Sequence, residues 1–306
     1  VFDVNFGADV TTMVEAEELL ERLQEDKNMP MITSCCPAWV KYAEFYYPEL
    51  IPNLTTSRSP HIHLAGLIKT YWAKEMNIPP HKIDVVSVMP CTAKKFEAIR
   101  PELKIQGRYP VDNVITTREF AWLLKRNRVE FQNVKKVKAD HPLGEYSGAA
   151  AIYGGSGGVM ESALRTAAHL AEPNTKNKSD RKIVFEQMRG NSAIKEAEVN
   201  VAGKKLRVGV ANGIGNAPEM IGNLANYDYI EVMACPGGCI GGGGQPIPTD
   251  DKTRKKRMEA LYKLDKSKKV RKAHENEGVK EVFEWLEDNK SLRDKILYTK
   301  YKKRKK

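Results

Sequence analysis

Met233-Ala234-Cys235-Pro236-Gly237-Gly238-Cys239-Ile240, followed by Gly241 to Gly244, Gln245 and Pro246, is the stretch on which the reading of this chain turns. It leaves the apolar run Tyr229-Ile230-Glu231-Val232-Met233, which predicts a buried strand, and so places two soft ligands in the loop at a strand end. Six glycines in that loop let backbone approach a bulky object closely. Two cysteines four apart are ambiguous, since a disulfide, half a zinc site or chance gives the same spacing. The other three cysteines narrow the choice. They stand in Thr33-Ser34-Cys35-Cys36-Pro37-Ala38-Trp39 and in Met89-Pro90-Cys91-Thr92-Ala93-Lys94-Lys95-Phe96-Glu97. An odd count of five without a secretion signal argues against structural disulfides. Structural zinc usually pairs ligands in local Cys-x-x-Cys knuckles, whereas Cys36, Cys91 and Cys235 lie whole folding units apart. Four thiolates gathered by the tertiary fold suit a buried iron–sulfur cluster better.

A chain of 306 residues with 41% apolar content can bury a sizeable core in one or two units. It has no run of about 18 apolar residues, the length a membrane span needs, and no signal peptide or repeat, so a soluble cytoplasmic protein is expected. The net charge of +11 is uneven: residues 252–306 hold 21 Lys/Arg against 9 Asp/Glu, and the rest 29 against 30. The basic end, closing Lys302-Lys303-Arg304-Lys305-Lys306, reads first as a solvated tail. Nucleic-acid binding is disfavoured, because no binding module accompanies it.

Alternating patterns along the chain predict α/β architecture with parallel sheets. Strands are expected at Met29 to Thr33, Ile83 to Val88, Lys182 to Gln187 and Leu206 to Ala211, and a strand then a helix across Val114 to Asn127. Ile83 to Val88 is a continuous β-branched run of the kind expected in a buried parallel strand. Helices are expected at 12–25, Trp39 to Tyr47, Ser59 to about Glu75, Val159 to Leu170 and Ala217 to Tyr227. Phe2-Asp3-Val4-Asn5 reads as the end of a strand already under way, and the start at Val1 rather than Met suggests that something upstream is missing. Glu15, Glu18 and Arg22 share one stripe of the first helix, which in isolation reads as a solvated face with a Glu18–Arg22 pair. The glycines from Gly154 to Gly158 lack the Gly-Lys-Ser/Thr ending of a phosphate loop. His61, His63 and His81 stand unclustered, as surface or capping histidines do.

Together the three cysteine blocks resemble the signature motifs of the [FeFe]-hydrogenase catalytic domain. The likeness extends to Phe6-Gly7-Ala8-Asp9, Val111-Asp112, Thr116-Thr117-Arg118-Glu119 and Gly148 through Thr166, and the helical C-terminal segment resembles that family's small-subunit-like tail. It implies two lobes of mainly parallel β-sheet flanked by helices, with the cluster in the cleft between them. Residues 1–250 would form the catalytic domain and 251–306 the basic helical tail.

The activity implied is reversible conversion of two protons and two electrons to dihydrogen. The implied cofactor is a [4Fe–4S] cluster on Cys36, Cys91, Cys235 and Cys239, bridged by the Cys239 thiolate to a diiron unit carrying CO, CN⁻ and a bridging dithiolate. Cys35 would be the free thiol that exchanges protons beside the diiron unit, and Glu15, Glu18, Arg22 and Thr55 would continue a proton relay. A buried Lys94 ammonium would hold the anionic cyanides. Met89 and Met233 would pack against the diiron unit, and Ser59, Pro60 and Gln245 would also border the cofactor. Relatives often carry glutamine where His61 stands. No cysteine remains for an accessory cluster, so a ferredoxin or flavodoxin-like carrier is the expected electron partner, alongside maturation proteins for the diiron unit. A related iron–sulfur assembly or sensory protein with little turnover is the alternative.

Overall fold

The computed structural model describes residues 1–172, 186–188 and 191–305. In chain order its elements are α1 (Val4–Glu25), β1 (Met31–Ile32), α2 (Pro37–Tyr46), α3 (Pro60–Leu67), α4 (Ala73–Glu75), β2 (Val86–Met89), α5 (Ala93–Ala98), β3 (Asn113–Thr116) and α6 (Thr117–Arg126). There follow α7 (Gly148–Ala151), α8 (Gly158–Ala171), β4 (Glu186–Met188), β5 (Asn191–Val201), β6 (Lys204–Asn212), α9 (Ala217–Gly222), β7 (Tyr229–Met233), α10 (Asp251–Ser267), α11 (Glu277–Asp288) and α12 (Lys290–Leu297). The architecture is α/β. One five-stranded sheet has the order β1-β7-β6-β5-β4, with β1, β7 and β6 parallel and β5 and β4 antiparallel. A second, two-stranded parallel sheet pairs β2 with β3.

Both faces of the larger sheet are covered, which is why β7 is buried at every position. On one face Leu19 and Leu23 of α1 and Met160 and Leu164 of α8 pack against Val208 and Tyr229. On the other, Trp39 and Ala43 of α2 and Met220 of α9 pack against Ile230 and Val232. The opposite side of α1 is also covered: Val10 and Val14 meet Leu64 and Leu67 of α3, Val279 and Val282 of α11 and Ile296 of α12. This helix therefore runs through the interior.

Several expectations are corrected. Phe2 to Asn5 is no strand, because the Asp3 side chain accepts the Asn5 amide (2.9 Å) and starts α1 at Val4, well before position 12. The stripe of Glu15, Glu18 and Arg22 is buried rather than solvated, since α1 is enclosed on both sides. Strand β2 is shorter than its β-branched run and one-sided: Val86 is 54% exposed and Val88 43%, while Met89 is buried. The eleven-residue β5 had not been anticipated. The strand expected at Lys182 to Gln187 lies mostly outside the described residues. The basic end is not a free tail either. The Thr299 amide donates to the Thr56 carbonyl (2.7 Å) and the Arg304 amide to the Glu44 carbonyl (3.0 Å).

Candidate metal centre

Every cysteine lies just past the C-terminal end of a parallel strand. Cys35 and Cys36 follow β1, Cys91 follows β2, and Cys235 and Cys239 follow β7, so both sheets deliver thiols to one region. Glycines let the loops close on one another. A Cβ on Gly242 would lie 2.2 Å from the Pro90 carbonyl oxygen, and one on Gly238 (φ +84°) would lie 2.7 Å from the Ser156 amide nitrogen. The glycine segment at 154–158 thus packs backbone to backbone on the Cys235–Cys239 loop instead of holding phosphate.

Burial raises the thiol pKa values of Cys36, Cys91 and Cys239, the last to about 12, and the negative charges of the neighbouring thiolates add to the rise at Cys239. The four thiols therefore share one electrostatic environment. Among the described residues no three His, Cys, Asp or Glu side chains converge tightly enough for a single metal ion. Four thiolates brought from three separate strand-end loops suit a cluster whose irons each take one thiolate. The Cys36 sulfur also accepts the amides of Ala234 and Trp39, contacts of the kind that tune such clusters.

Cys35 is buried beside Ala8, Ala150, Tyr153, Val159 and Met233. Lys94, 4% exposed, donates to the Cys35 carbonyl (3.1 Å) and to Glu97 Oε2 (2.7 Å). Burial alone would lower the Lys94 pKa, but Glu97 more than offsets it and holds the ammonium charged. Two of its three N–H groups are thereby used. Met89 is buried at the end of β2, outside the apolar cluster that joins Met233 to Cys35. Gln245 turns back on its own loop, donating to the Cys239 carbonyl (3.3 Å). Ser59 immediately precedes α3 without a side-chain capping bond, and Pro60 is the first residue of that helix. Among the buried side-chain atoms without a hydrogen-bond partner are the hydroxyls of Thr33, two residues before Cys35, of Ser59, and of Ser156 on the segment packed against the Cys235–Cys239 loop. The thiol set, the glycine contacts and these hydroxyls fit the expected cofactor.

The α1 stripe meets this region. Thr55 Oγ1 lies 2.7 Å from Ser34 Oγ and donates to Glu15 Oε1 (3.3 Å), and the Tyr229 hydroxyl donates to Glu15 Oε2 (2.9 Å). Burial pushes the Glu15 pKa up to about 8 despite those donors. Glu18 accepts from the Thr56 amide (2.9 Å) and hydroxyl (3.0 Å) and pairs with Arg22 (2.5 Å), whose other donors reach the carbonyls of Asn28, Asn53 and Leu54. Glu15 and Glu18 are thus linked through adjacent residues, Thr55 and Thr56.

Sequence reasoning missed Ser34, Thr56, Tyr229 and Glu97 as members of this region, and it misplaced two histidines. His61 is buried and bonded to Glu97, and His63 is buried between Thr11 (2.8 Å) and the Leu297 carbonyl (3.0 Å). Only His81 is exposed as expected. Asp9 of the Phe6-Gly7-Ala8-Asp9 motif joins α1 to the α7 cap and to residues preceding α11, accepting from Ser147 and Asn276.

Residues 1–243 match the family described as iron only hydrogenase large subunit, C-terminal domain, and residues 251–304 match iron hydrogenase small subunit. The chain belongs to the iron-only hydrogenase family. Over 99% of its length it is 46% identical to the NADP-reducing hydrogenase subunit HndD of Solidesulfovibrio fructosivorans, of which it covers 53%. It is 43% identical to iron hydrogenase 1 of Clostridium pasteurianum, again over 99% of the chain and 54% of that protein. The chain thus spans about half the length of these two curated relatives. A solved structure of the [FeFe]-hydrogenase from Chlamydomonas reinhardtii superposes with a TM-score of 0.87 at 35% identity, over 99% of this chain and 84% of that one. The chain is also similar to cytosolic iron–sulfur assembly component 3 of Rattus norvegicus, at 33% identity over 98% of the chain and 66% of that protein. No helix among the described residues is long and apolar enough to cross a membrane.

Proposed function

We propose that this chain is the catalytic domain of an [FeFe]-hydrogenase, interconverting protons and electrons with dihydrogen, with residues 251–306 as an attached small-subunit-like segment. Cys36, Cys91, Cys235 and Cys239 hold the [4Fe–4S] cluster. The observation that carries the reading is Lys94: a buried ammonium, fixed beside the one thiol the cluster does not need, with an N–H to spare for an anionic ligand. When bound, the diiron unit with its CO, CN⁻ and dithiolate ligands supplies the redox centre at which protons and electrons combine.

The chain's own residues position that unit and move protons. Lys94 would hold the anionic cyanides, and Met233 with Cys35 would border the unit. Met89, Ser59, Pro60 and Gln245 complete the surround. Cys35 Sγ passes a proton toward Glu15, whose pKa near 8 lets it both take and give one close to neutral pH. Thr55, bonded to Glu15, and Glu18, bonded to the adjacent Thr56, continue the route, and Arg22 holds Glu18 in place.

The partners are a ferredoxin or flavodoxin-like carrier and the proteins that mature the diiron unit, and the setting is cytoplasmic. An assembly or sensory role without turnover is the second reading, favoured by the assembly-component relatives, but Cys35 and Lys94 have no use in a lone [4Fe–4S] protein. Infrared spectroscopy of the matured chain separates the two.

A further inference from the structure

The Lys94–Glu97 pair does not end at Glu97. The oxygen that accepts from Lys94, Oε2, also accepts from His61 Nε2 at 2.8 Å, and His61 Nδ1 lies 3.2 Å from Ser87 Oγ. His61 is 2% exposed and Glu97 7%, so the contacts are made out of water. Four elements meet here: His61 comes from α3, Ser87 from β2, Lys94 and Glu97 from α5, and the Cys35 carbonyl from the loop after β1.

Hydrogen-bond inventory assigns the protons. An ionised carboxylate only accepts, so Nε2 carries the hydrogen, and a neutral ring then accepts from the Ser87 hydroxyl at Nδ1. Lysine is a point charge on a flexible four-carbon stem, and its position is set by its acceptors. Glu97 is its nearest acceptor but sits only three residues away on the same six-residue helix, so the two could swing together. Lys94 is tied outside that helix only by the longer Cys35 carbonyl contact (3.1 Å), and His61 is the tie that Glu97 makes outside it (2.8 Å). We infer that His61 is a positioning residue for Lys94: it fixes the shared Glu97 oxygen, and through it the direction in which the remaining Lys94 N–H points. A buried carboxylate with two N–H donors on one oxygen also stays ionised, in keeping with its pKa near 2, where burial is outweighed by Lys94 and then by His61.

This inference rests on the hydrogenase reading for its purpose but not for its geometry, and the test separates the two. In the unloaded chain carrying ¹⁵N-lysine, the Lys94 Nζ correlation, assigned by its loss in Lys94→Met, is expected to be sharp and slow to exchange. It should survive in His61→Gln, whose amide can still donate to Glu97, and be lost in His61→Leu. His61→Asn, polar but too short to reach Glu97, should lose it as well, which guards against misfolding of the leucine variant. In the matured protein, His61→Gln should keep the cyanide infrared bands in place. His61→Asn should shift and broaden them more than the CO bands. A slow-exchanging Lys94 signal that persists in both His61→Leu and His61→Asn, or one absent from the unsubstituted chain, overturns the inference. Absence of CO and CN⁻ bands from the unsubstituted matured chain overturns the hydrogenase reading instead, and the lysine signal still decides the role of His61.

Discussion

Arg304 Nε donates at 2.7 Å to the carboxylate of Glu44, 260 residues earlier in the chain, and Arg100 grips the same carboxylate at 2.5 and 3.1 Å. Glu44 is fully buried. The basic end is therefore anchored to α2, the helix that starts at Pro37 next to Cys36. Arg304→Ala should lower stability by about 1–3 kcal/mol, because a buried carboxylate loses a charged donor while Arg100 remains. Chemical denaturation of the unloaded chain measures it. An unchanged midpoint would return Arg304 to the solvated-tail reading.

The anchoring changes how electrostatic docking is tested. Deleting Lys302 to Lys306 would disturb Glu44 as well as remove charge, so added salt is the cleaner probe. Attraction of an acidic carrier acts over about 8 Å at physiological salt and mainly raises the association rate. Turnover with a ferredoxin should fall steeply with added salt, while turnover with a small cationic dye should hold. Equal responses would mean that the positive surplus of residues 252–306 serves no acidic carrier.

The adjacent cysteines should separate under mutation. Cys36→Ala should lower iron content and stability, because a cluster ligand is lost. Cys35→Ala should keep the [4Fe–4S] signal and lose turnover by about 10²-fold or more, because a proton step is interrupted. Iron analysis and electron paramagnetic resonance on both variants decide it, and equal loss of cluster from both contradicts the assignment.

Glu15 yields a pH signature without any cofactor. Burial raises its folded pKa from the ordinary 4.5 to about 8, so the unfolded chain releases this proton first as pH rises. The wild-type chain should therefore lose stability between about pH 5 and pH 8 at this site, and Glu15→Gln should not. The variant should gain on wild type across that window, by roughly a few kcal/mol for a group so buried. Parallel stability curves for the two would show that Glu15 ionises normally. Unchanged turnover in Glu15→Gln would separately remove it from the proton route.

What the sequence revealed was mostly local. The cysteine blocks could be read because strand, turn and ligand sit within a few residues of one another, as at Tyr229 to Cys239. Burial of the α1 stripe could not, because Glu15 and Glu18 count as solvated until α3, α8 and α11 close around the helix. The charged alternation of β5 hid a strand that packs on the core, where Ala197 and Val201 are buried on the α1 and α8 face and Ile194 on the other. His61 looked isolated because its partner Glu97 is 36 residues away, and the tail looked free because Glu44 lies at the other end of the chain.

The central claim is that this fold holds a diiron unit carrying CO and CN⁻ next to Cys35 and Lys94. Infrared spectroscopy of the chain, produced with its maturation proteins and purified without oxygen, tests it most directly, because metal-bound CO and CN⁻ absorb where protein does not. The account predicts both sets of bands, with the cyanide bands perturbed in Lys94→Met. A protein that carries its [4Fe–4S] cluster after maturation and shows neither set would contradict it.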